Sequence, residues 1–252
     1  MSLKKRIIPI VLLDGFSVVK TIEFDERRNL GSPVTVVRTY DTRNVDEMIV
    51  LDIDASDENR SIDHLTIADL AKDCFMPLTV GGGIRSIEDI RTALKAGADK
   101  VAINTEALRS PELIDEAAKV FGSQCIVASL DVVIANGSPL VFNKQVEATL
   151  AGDVFNWAKE LERRGAGEML VNMVHLDGTM SGADVEFASE LSDQLDIPLL
   201  YAGGVASTED CVRLGRTSVS AICASSIFHF TGITPLDCKQ AMLTEGLPIR
   251  IS

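Results

Sequence analysis

The chain has 252 residues, 46% hydrophobic and 24% charged, with a formal net charge of −13 from 24 Lys and Arg against 37 Asp and Glu. That apolar content can bury a large core and excludes a disordered or collagen-like chain. So negative a surface repels phosphate backbones and anionic lipid, so neither nucleic acid nor a membrane is an expected partner, and any anionic ligand must be held by local donors.

The first apolar run, 7–13, follows Met1 to Arg6 directly, without a small-residue cleavage site, so no signal peptide is expected. Further short runs lie at 48–53, 77–80, 100–103, 125–130, 169–174, 198–201 and 219–224, eight candidate strands in all. Helical stretches fall between them. Ser86 caps one, with Glu88 and Asp89 in its first turn and Gly97 at its end; Ser110-Pro111-Glu112 opens another, which Gly122 stops. Strands that are apolar throughout, alternating with helices, predict an α/β protein with a parallel sheet covered by helices. No run reaches the roughly 18 residues of a membrane span. Cys74, Cys125, Cys211, Cys223 and Cys238 form no C-x-x-C pair, so a reduced, cytoplasmic protein is expected.

Self-comparison adds an internal repeat. Shifted by 121 residues, Pro77-Leu78 falls on Pro198-Leu199, Gly82-Gly83 on Gly203-Gly204, Ser86 on Ser207 and Glu88-Asp89 on Glu209-Asp210, which makes seven matches in thirteen positions. Composition alone predicts about one. Glu47-Met48 falls on Glu168-Met169 at the same shift. A duplicated half of four βα units, closing into a single (βα)8 TIM barrel domain over 1–252, accounts for this, and about 250 residues is the usual size of such a barrel. A two-domain doubly wound sheet is the alternative, but it does not readily explain the constant spacing.

Ligands of such a barrel bind at the C-terminal ends of the strands. Gly81-Gly82-Gly83 follows the third strand and Gly203-Gly204 the seventh, each leading into a helix. Backbone N–H groups can approach an anion closely there, and the helix dipole helps. A lone Gly pair is commonly just a tight turn; duplication favours the anion site. Asn104-Thr105 and Ser225-Ser226 coincide under the same shift and add small polar donors at the fourth and eighth strand ends. Two phosphate cradles and a ligand carrying a phosphate at each end are therefore expected. Carboxylates at strand ends are Asp52, Asp54, Asp131 and Asp177, candidates for proton transfer or for loop anchoring. His175 lies near the mouth, whereas His64 and His229 read as structural. No His, Cys and carboxylate cluster has ligand spacing, so neither a metal nor a cofactor is expected.

From Lys5 to Arg250 the chain resembles the cyclase subunit of imidazole glycerol phosphate synthase. The likeness is carried by Arg6-Ile7-Ile8-Pro9, Val18-Val19-Lys20, Leu51-Asp52-Ile53, Val80-Gly81-Gly82-Gly83-Ile84-Arg85, Gly97-Ala98-Asp99-Lys100-Val101, Phe121-Gly122-Ser123-Gln124-Cys125, Gly165-Ala166-Gly167-Glu168, Asp177-Gly178-Thr179 and Ser225-Ser226-Ile227-Phe228-His229. The resemblance implies a (βα)8 barrel with half-barrel symmetry. It implies a glutaminase partner at the N-terminal face, ammonia delivered through the barrel, and a bisphosphorylated substrate at the opposite face. It places an ammonia gate on Arg6, Glu47, Lys100 and Glu168. It assigns Asp131 and Lys20 to catalysis, with Arg28 on the same loop as Lys20 after the first strand. Asp177 is expected in both catalysis and phosphate binding, with Gly82, Gly83, Asn104, Gly178, Thr179, Gly203, Gly204, Ser225 and Ser226 completing the phosphate sites.

Several positions depart from the family pattern. The second catalytic Asp of the family aligns to Leu12, which cannot transfer protons; Asp14, two positions on, is the candidate substitute. Val133-Ile134 replaces a basic pair, Val146-Glu147-Ala148 a basic segment, His175-Leu176 an acid and a base, and Val205-Ala206 an Ala-Gly. The expected protein is thus a paralogue of the cyclase subunit with altered or lost cyclase chemistry. By analogy with paralogues found with surface-polysaccharide genes, it could serve the formation of an amidine on a nucleotide- or lipid-linked sugar. A working histidine-pathway cyclase is the alternative, and a non-catalytic ammonia conduit is a third reading.

Overall fold

The computed structural model describes residues 4–15, 17–43, 45–144 and 148–250. In chain order, β1 (Arg6–Asp14) is followed by a hairpin, β2 (Ser17–Ile22) and β3 (Glu26–Gly31), then α1 (Pro33–Thr42), β4 (Met48–Asp52), α2 (His64–Lys72), β5 (Leu78–Gly81) and α3 (Ile87–Lys95). Next come β6 (Lys100–Ile103), α4 (Thr105–Arg109), α5 (Glu112–Phe121) and β7 (Ile126–Ala135), with a second hairpin, β8 (Ser138–Asn143) and β9 (Ala148–Asp153). The chain continues through α6 (Val154–Arg163), β10 (Glu168–Met173), α7 (Val185–Ser192), β11 (Leu199–Ala202), α8 (Thr208–Gly215), β12 (Ala221–Ala224), α9 (Ser226–Phe230) and α10 (Pro235–Thr244).

Parallel pairing runs β1-β4-β5-β6-β7-β10-β11-β12, and β12 returns to β1 through Arg6↔Ala221, which closes an eight-stranded (βα)8 TIM barrel. Alternate side chains face opposite ways. Ile8, Ile10, Ile49, Val127, Leu170, Leu200 and Cys223 fill the lumen, while Ile7, Val11, Val50, Val101 and Met169 pack outward among the apolar faces of the helices. Burial on both faces is why the strands read as unbroken apolar runs.

Duplication extends to the hydrogen-bonded register. Met48↔Leu78 and Thr79↔Lys100 in the first half recur as Met169↔Leu199 and Leu200↔Ala221 in the second. Helices α3 and α4 reappear as α8 and α9, each starting 121 residues later. Ser86 and Ser207, the matched caps, accept from the backbone N–H of Asp89 and Asp210.

Two expectations need correcting. The segment after the first strand is not a loop: Lys20 and Arg28 stand opposite each other in the β2–β3 hairpin. The last apolar run is a strand only over Ala221–Ala224; before it Ser220 bonds Arg6 and Leu199 through its backbone, and the Val219 carbonyl accepts from Lys5 Nζ at 2.6 Å. Among the described residues no helix is long and apolar enough to cross a membrane.

Candidate functional site

At the C-terminal end of the barrel a cavity of about 210 Å³ opens above the lumen. Its floor is Ile10, Leu12, Leu51, Ala102, Ser129, Leu170 and Cys223, and its rim carries Gly82, Gly83, Asn104, Gly178, Gly203, Gly204, Ser225 and Ser226. The two Gly pairs adopt matched backbones, with φ of 120° and 63° at Gly82 and Gly83 and 111° and 79° at Gly203 and Gly204. A side chain at Gly82 would strike the Asp52 backbone, and one at Gly203 would strike Met173. Glycine is therefore required for the chain to turn into the rim at both places. Ser226 is buried at the cavity wall, and its Oγ has no hydrogen-bond partner among the described residues. An oriented, unsatisfied hydroxyl of this kind is costly unless a ligand or water meets it.

Asp131 lines the same cavity and accepts a hydrogen bond from Asn104 Nδ2 at 2.8 Å. Burial, helped by the charge of Asp177, pushes its carboxyl up to about 7 against the opposing Asn104 hydrogen bond and Lys144. A carboxyl balanced there can give or take a proton near neutrality. Lys20 extends from the β2–β3 hairpin to Asp177 Oδ1 at 2.7 Å, and Thr21 Oγ1 donates to Asp177 Oδ2 at 2.6 Å. Both carboxylate oxygens of Asp177 are thus committed to holding the hairpin over the mouth. That arrangement suits positioning Lys20 and does not suit binding an anion. Thr179 likewise spends its hydroxyl on Leu176 O and Ser181 and does not line the cavity.

The first strand meets this cavity with hydrocarbon. Leu12 faces inward in register with Leu51. In the second half the same register pairs Asp131 with Asn172, which is Leu51 shifted by the repeat. Leu12 therefore occupies the place in the first half that Asp131 occupies in the second. Asp14 does not take over: its carboxylate meets Arg27 at 3.0 Å, outside the cavity wall, and Arg27 is also bound to Asp54 at 2.5 Å. Asp52 is a loop anchor, bonded to Arg60 at 2.5 Å and to the backbone N–H groups of Asp54 and Ala55.

At the opposite end of the lumen the four charged positions form a closed ring. Arg6 Nη1 donates to Glu47 at 2.7 Å and Glu168 at 2.8 Å, and Lys100 Nζ donates to the other oxygens of the same carboxylates at 3.0 and 2.7 Å. Burial alone would raise the Glu47 carboxyl, but the two cations outweigh it and hold it below the usual range. Cys223, the lumen thiol, feels all four charges and is kept protonated chiefly by burial.

His229 bonds Tyr40 OH at 3.1 Å and is held neutral by burial, with a pKa lowered to about 4, as a structural residue should be. His175 stands in the turn after β10, its buried Nδ1 without a described partner. Ile134 is partly exposed on β7 beyond Asp131, whereas Val146 and Glu147 lie outside the described residues. Among the described residues no cluster of His, Cys, Asp and Glu could hold a metal ion. Sequence reasoning missed Arg109 and Lys144, which line the cavity; their only signal was proximity to strand ends.

A family model described as histidine biosynthesis protein matches residues 6–234. The chain is 42% identical over 249 residues to a Campylobacter jejuni protein bearing the provisional name imidazole glycerol phosphate synthase subunit hisF2, with 99% of each chain covered. It is 41% identical over 256 residues to the imidazole glycerol phosphate synthase subunit HisF of Thermobifida fusca, covering 99% of this chain and 100% of the relative. Matched along nearly its whole length, the chain belongs to the histidine biosynthesis protein family, among the HisF-type barrels.

Proposed function

We propose that this barrel is a HisF-like synthase subunit that binds a phosphorylated small molecule at its mouth and receives ammonia from a glutaminase partner through the charged ring at its floor, with cyclase chemistry altered from that of the histidine pathway. The observation that carries the altered chemistry is Leu12, an apolar residue at the half-barrel equivalent of Asp131. Closing a ring while cleaving a bond requires an acid and a base on different atoms. Here Asp131, bonded to Asn104, faces a cavity floor that includes Leu12 and Leu51. One proton carrier in place of two should cost roughly two to four powers of ten in rate.

The floor supports ammonia passage. A ring of four charges whose side chains are only 10–17% exposed is costly to desolvate and is weak evidence for stability. It leads directly into a lumen of Ile8, Ile49, Leu170, Leu200 and Cys223, which is apolar enough to pass neutral NH3 and exclude ammonium. Ammonia emerging at the mouth would meet the substrate beside Asp131. An amidine-forming reaction on a phosphate-linked sugar fits this arrangement, because the barrel then supplies nitrogen to an acceptor without having to close an imidazole.

The test supplies ammonium salts and the bisphosphorylated histidine precursor to the purified protein and to its Leu12→Asp variant. Little or no imidazole product is expected from the native chain, and a gain of at least tenfold from the variant. Turnover by the native chain equal to that of the variant rejects the altered chemistry and leaves a working cyclase, the reading otherwise favoured by a carboxyl at Asp131 balanced near neutrality.

A further inference from the structure

The bottom of the cavity, between its two ends, is divided into an apolar and a polar side. Register pairs Ile10 with Ile49 and Leu12 with Leu51 in the first half of the barrel, and Ser129 with Leu170 and Asp131 with Asn172 in the second. Ile49 and Leu170 coincide under the shift of 121 residues, and so do Leu51 and Asn172. Ile10, Leu12 and Leu51 therefore stand where the second half has Ser129, Asp131 and Asn172, and all six line the cavity. Asn172 follows Glu168 and Leu170 along the inward face of β10, so it is the last group of that strand above the charged ring and the apolar lumen. Its half-buried carboxamide hydrogen-bonds no other described residue. Beside it, Asp131 gives Oδ2 to Asn104, and Lys144 on the wall is offset by Asp57 at 3.8 Å.

A carboxamide side chain offers two donors and an acceptor. A ligand that covers it displaces its water, so a ligand that fails to replace those hydrogen bonds is rejected, and one that matches them is selected. Hydrocarbon is the matching partner for the opposite side, whereas a carboxylate set beside Asp131 meets like charge. We infer that Asn172 is a specificity-determining residue that binds an uncharged carboxamide or carbonyl group of the substrate beside Asp131, with the hydrocarbon attached to that group lying against Ile10, Leu12 and Leu51. This rests on the reading of the mouth as the substrate site and adds the chemical class of the group held between its two ends.

The experiment titrates acetamide and acetate, which share a methyl group and differ in charge, into the isotope-labelled full chain up to about 100 mM, the range in which so small a ligand binds. NMR follows the side-chain amide of Asn172 and the methyl groups of Leu12 and Leu51. Acetamide should shift all three, and acetate should bind at least tenfold more weakly. Asn172→Leu, which copies the first-half residue at nearly the same volume, should weaken acetamide by about tenfold, the worth of one or two neutral hydrogen bonds. Inorganic phosphate affinity, measured on the same samples, should stay within a factor of two. Should that variant fail to fold, the shifts in the native chain decide alone. No acetamide binding, equal binding of acetamide and acetate, or acetamide binding indifferent to Asn172→Leu overturns the inference. Phosphate still bound in those cases leaves the reading of the mouth as a phosphate-binding site intact, and a native chain that binds no phosphate rejects that reading separately.

Discussion

Lys239 of the last helix donates to Asp46 Oδ1 at 2.8 Å, each side chain being 2% exposed, and the other Asp46 oxygen accepts from the backbone N–H of Ile7 at 2.9 Å. This ion pair ties α10 to the segment that carries Glu47 and to the strand that begins with Arg6. Removing one partner of a buried pair strands the other charge, at a cost of about 3–5 kcal/mol. Lys239→Met should therefore lower Tm by roughly 10 °C in scanning calorimetry, given about 2–4 °C per kcal/mol for a chain of this size. Adding Asp46→Asn to that variant should recover part of the loss. An unchanged Tm in the single variant would contradict the pairing.

The ring at the floor makes a separable prediction. Glu47→Ala leaves Arg6 and Lys100 sharing Glu168 alone, which opens the ring without touching the mouth. In a complex with the proposed glutaminase partner, glutamine hydrolysis should continue while ammonia use at the mouth falls behind it, and phosphate affinity should stay within a factor of two. Loss of phosphate affinity in parallel with ammonia use would show the ring to be a stability element. The Glu47 carboxyl is held below its unfolded value, so its share of stability is present above about pH 4.5 and is lost as pH falls through the lowered native pKa.

Asp131 has the opposite sign. Its native pKa, about 7, lies above the ordinary value of 3.8, so the native state binds the extra proton between those limits. Stability contributed by that proton is complete below about pH 4 and is lost as pH rises toward 7. Asp131→Asn should flatten this part of the profile and make the variant more stable than the native chain at pH 8, by up to a few kcal/mol. Denaturant unfolding at pH 4, 6 and 8 measures the difference. Any activity at the mouth should also change through an apparent pKa near 7 and lose that dependence in the variant. A difference between the two proteins that does not vary with pH would mean that Asp131 is solvated.

The barrel was legible because burial on both strand faces leaves unbroken apolar runs, and because the repeat preserves both the Gly pairs and the pairing register. The β2–β3 hairpin was not. Glu26, Arg27, Arg28 and Asn29 are all exposed, so no alternation marks them as a strand; they are extended through pairing with the strand that carries the buried Val18, Val19 and Lys20. The partners of Asp14 and Asp177 come from that hairpin, so local patterning does not show that their carboxylates are engaged. The ring was recognised through the family resemblance. Its four members come from four separate parts of the chain, and local patterning cannot show that two cations and two anions converge.

Glycine at the rim gives a comparison within one molecule. Gly15 has φ of 62° with nothing within 4 Å of an added Cβ, so Gly15→Ala should cost only the left-handed penalty of about 1–2 kcal/mol. Gly82 and Gly203 combine φ of 120° and 111° with close approach of the Asp52 backbone and of Met173. An alanine at either site must move a barrel strand end as well as adopt a conformation that L-residues rarely reach. Gly82→Ala and Gly203→Ala should each cost at least 1 kcal/mol more than Gly15→Ala in urea unfolding, and each should weaken phosphate binding at its own end of the mouth. If Gly82→Ala proves as mild as Gly15→Ala, the rim backbone is freer than its geometry implies, and the anion cradle loses its rigid support.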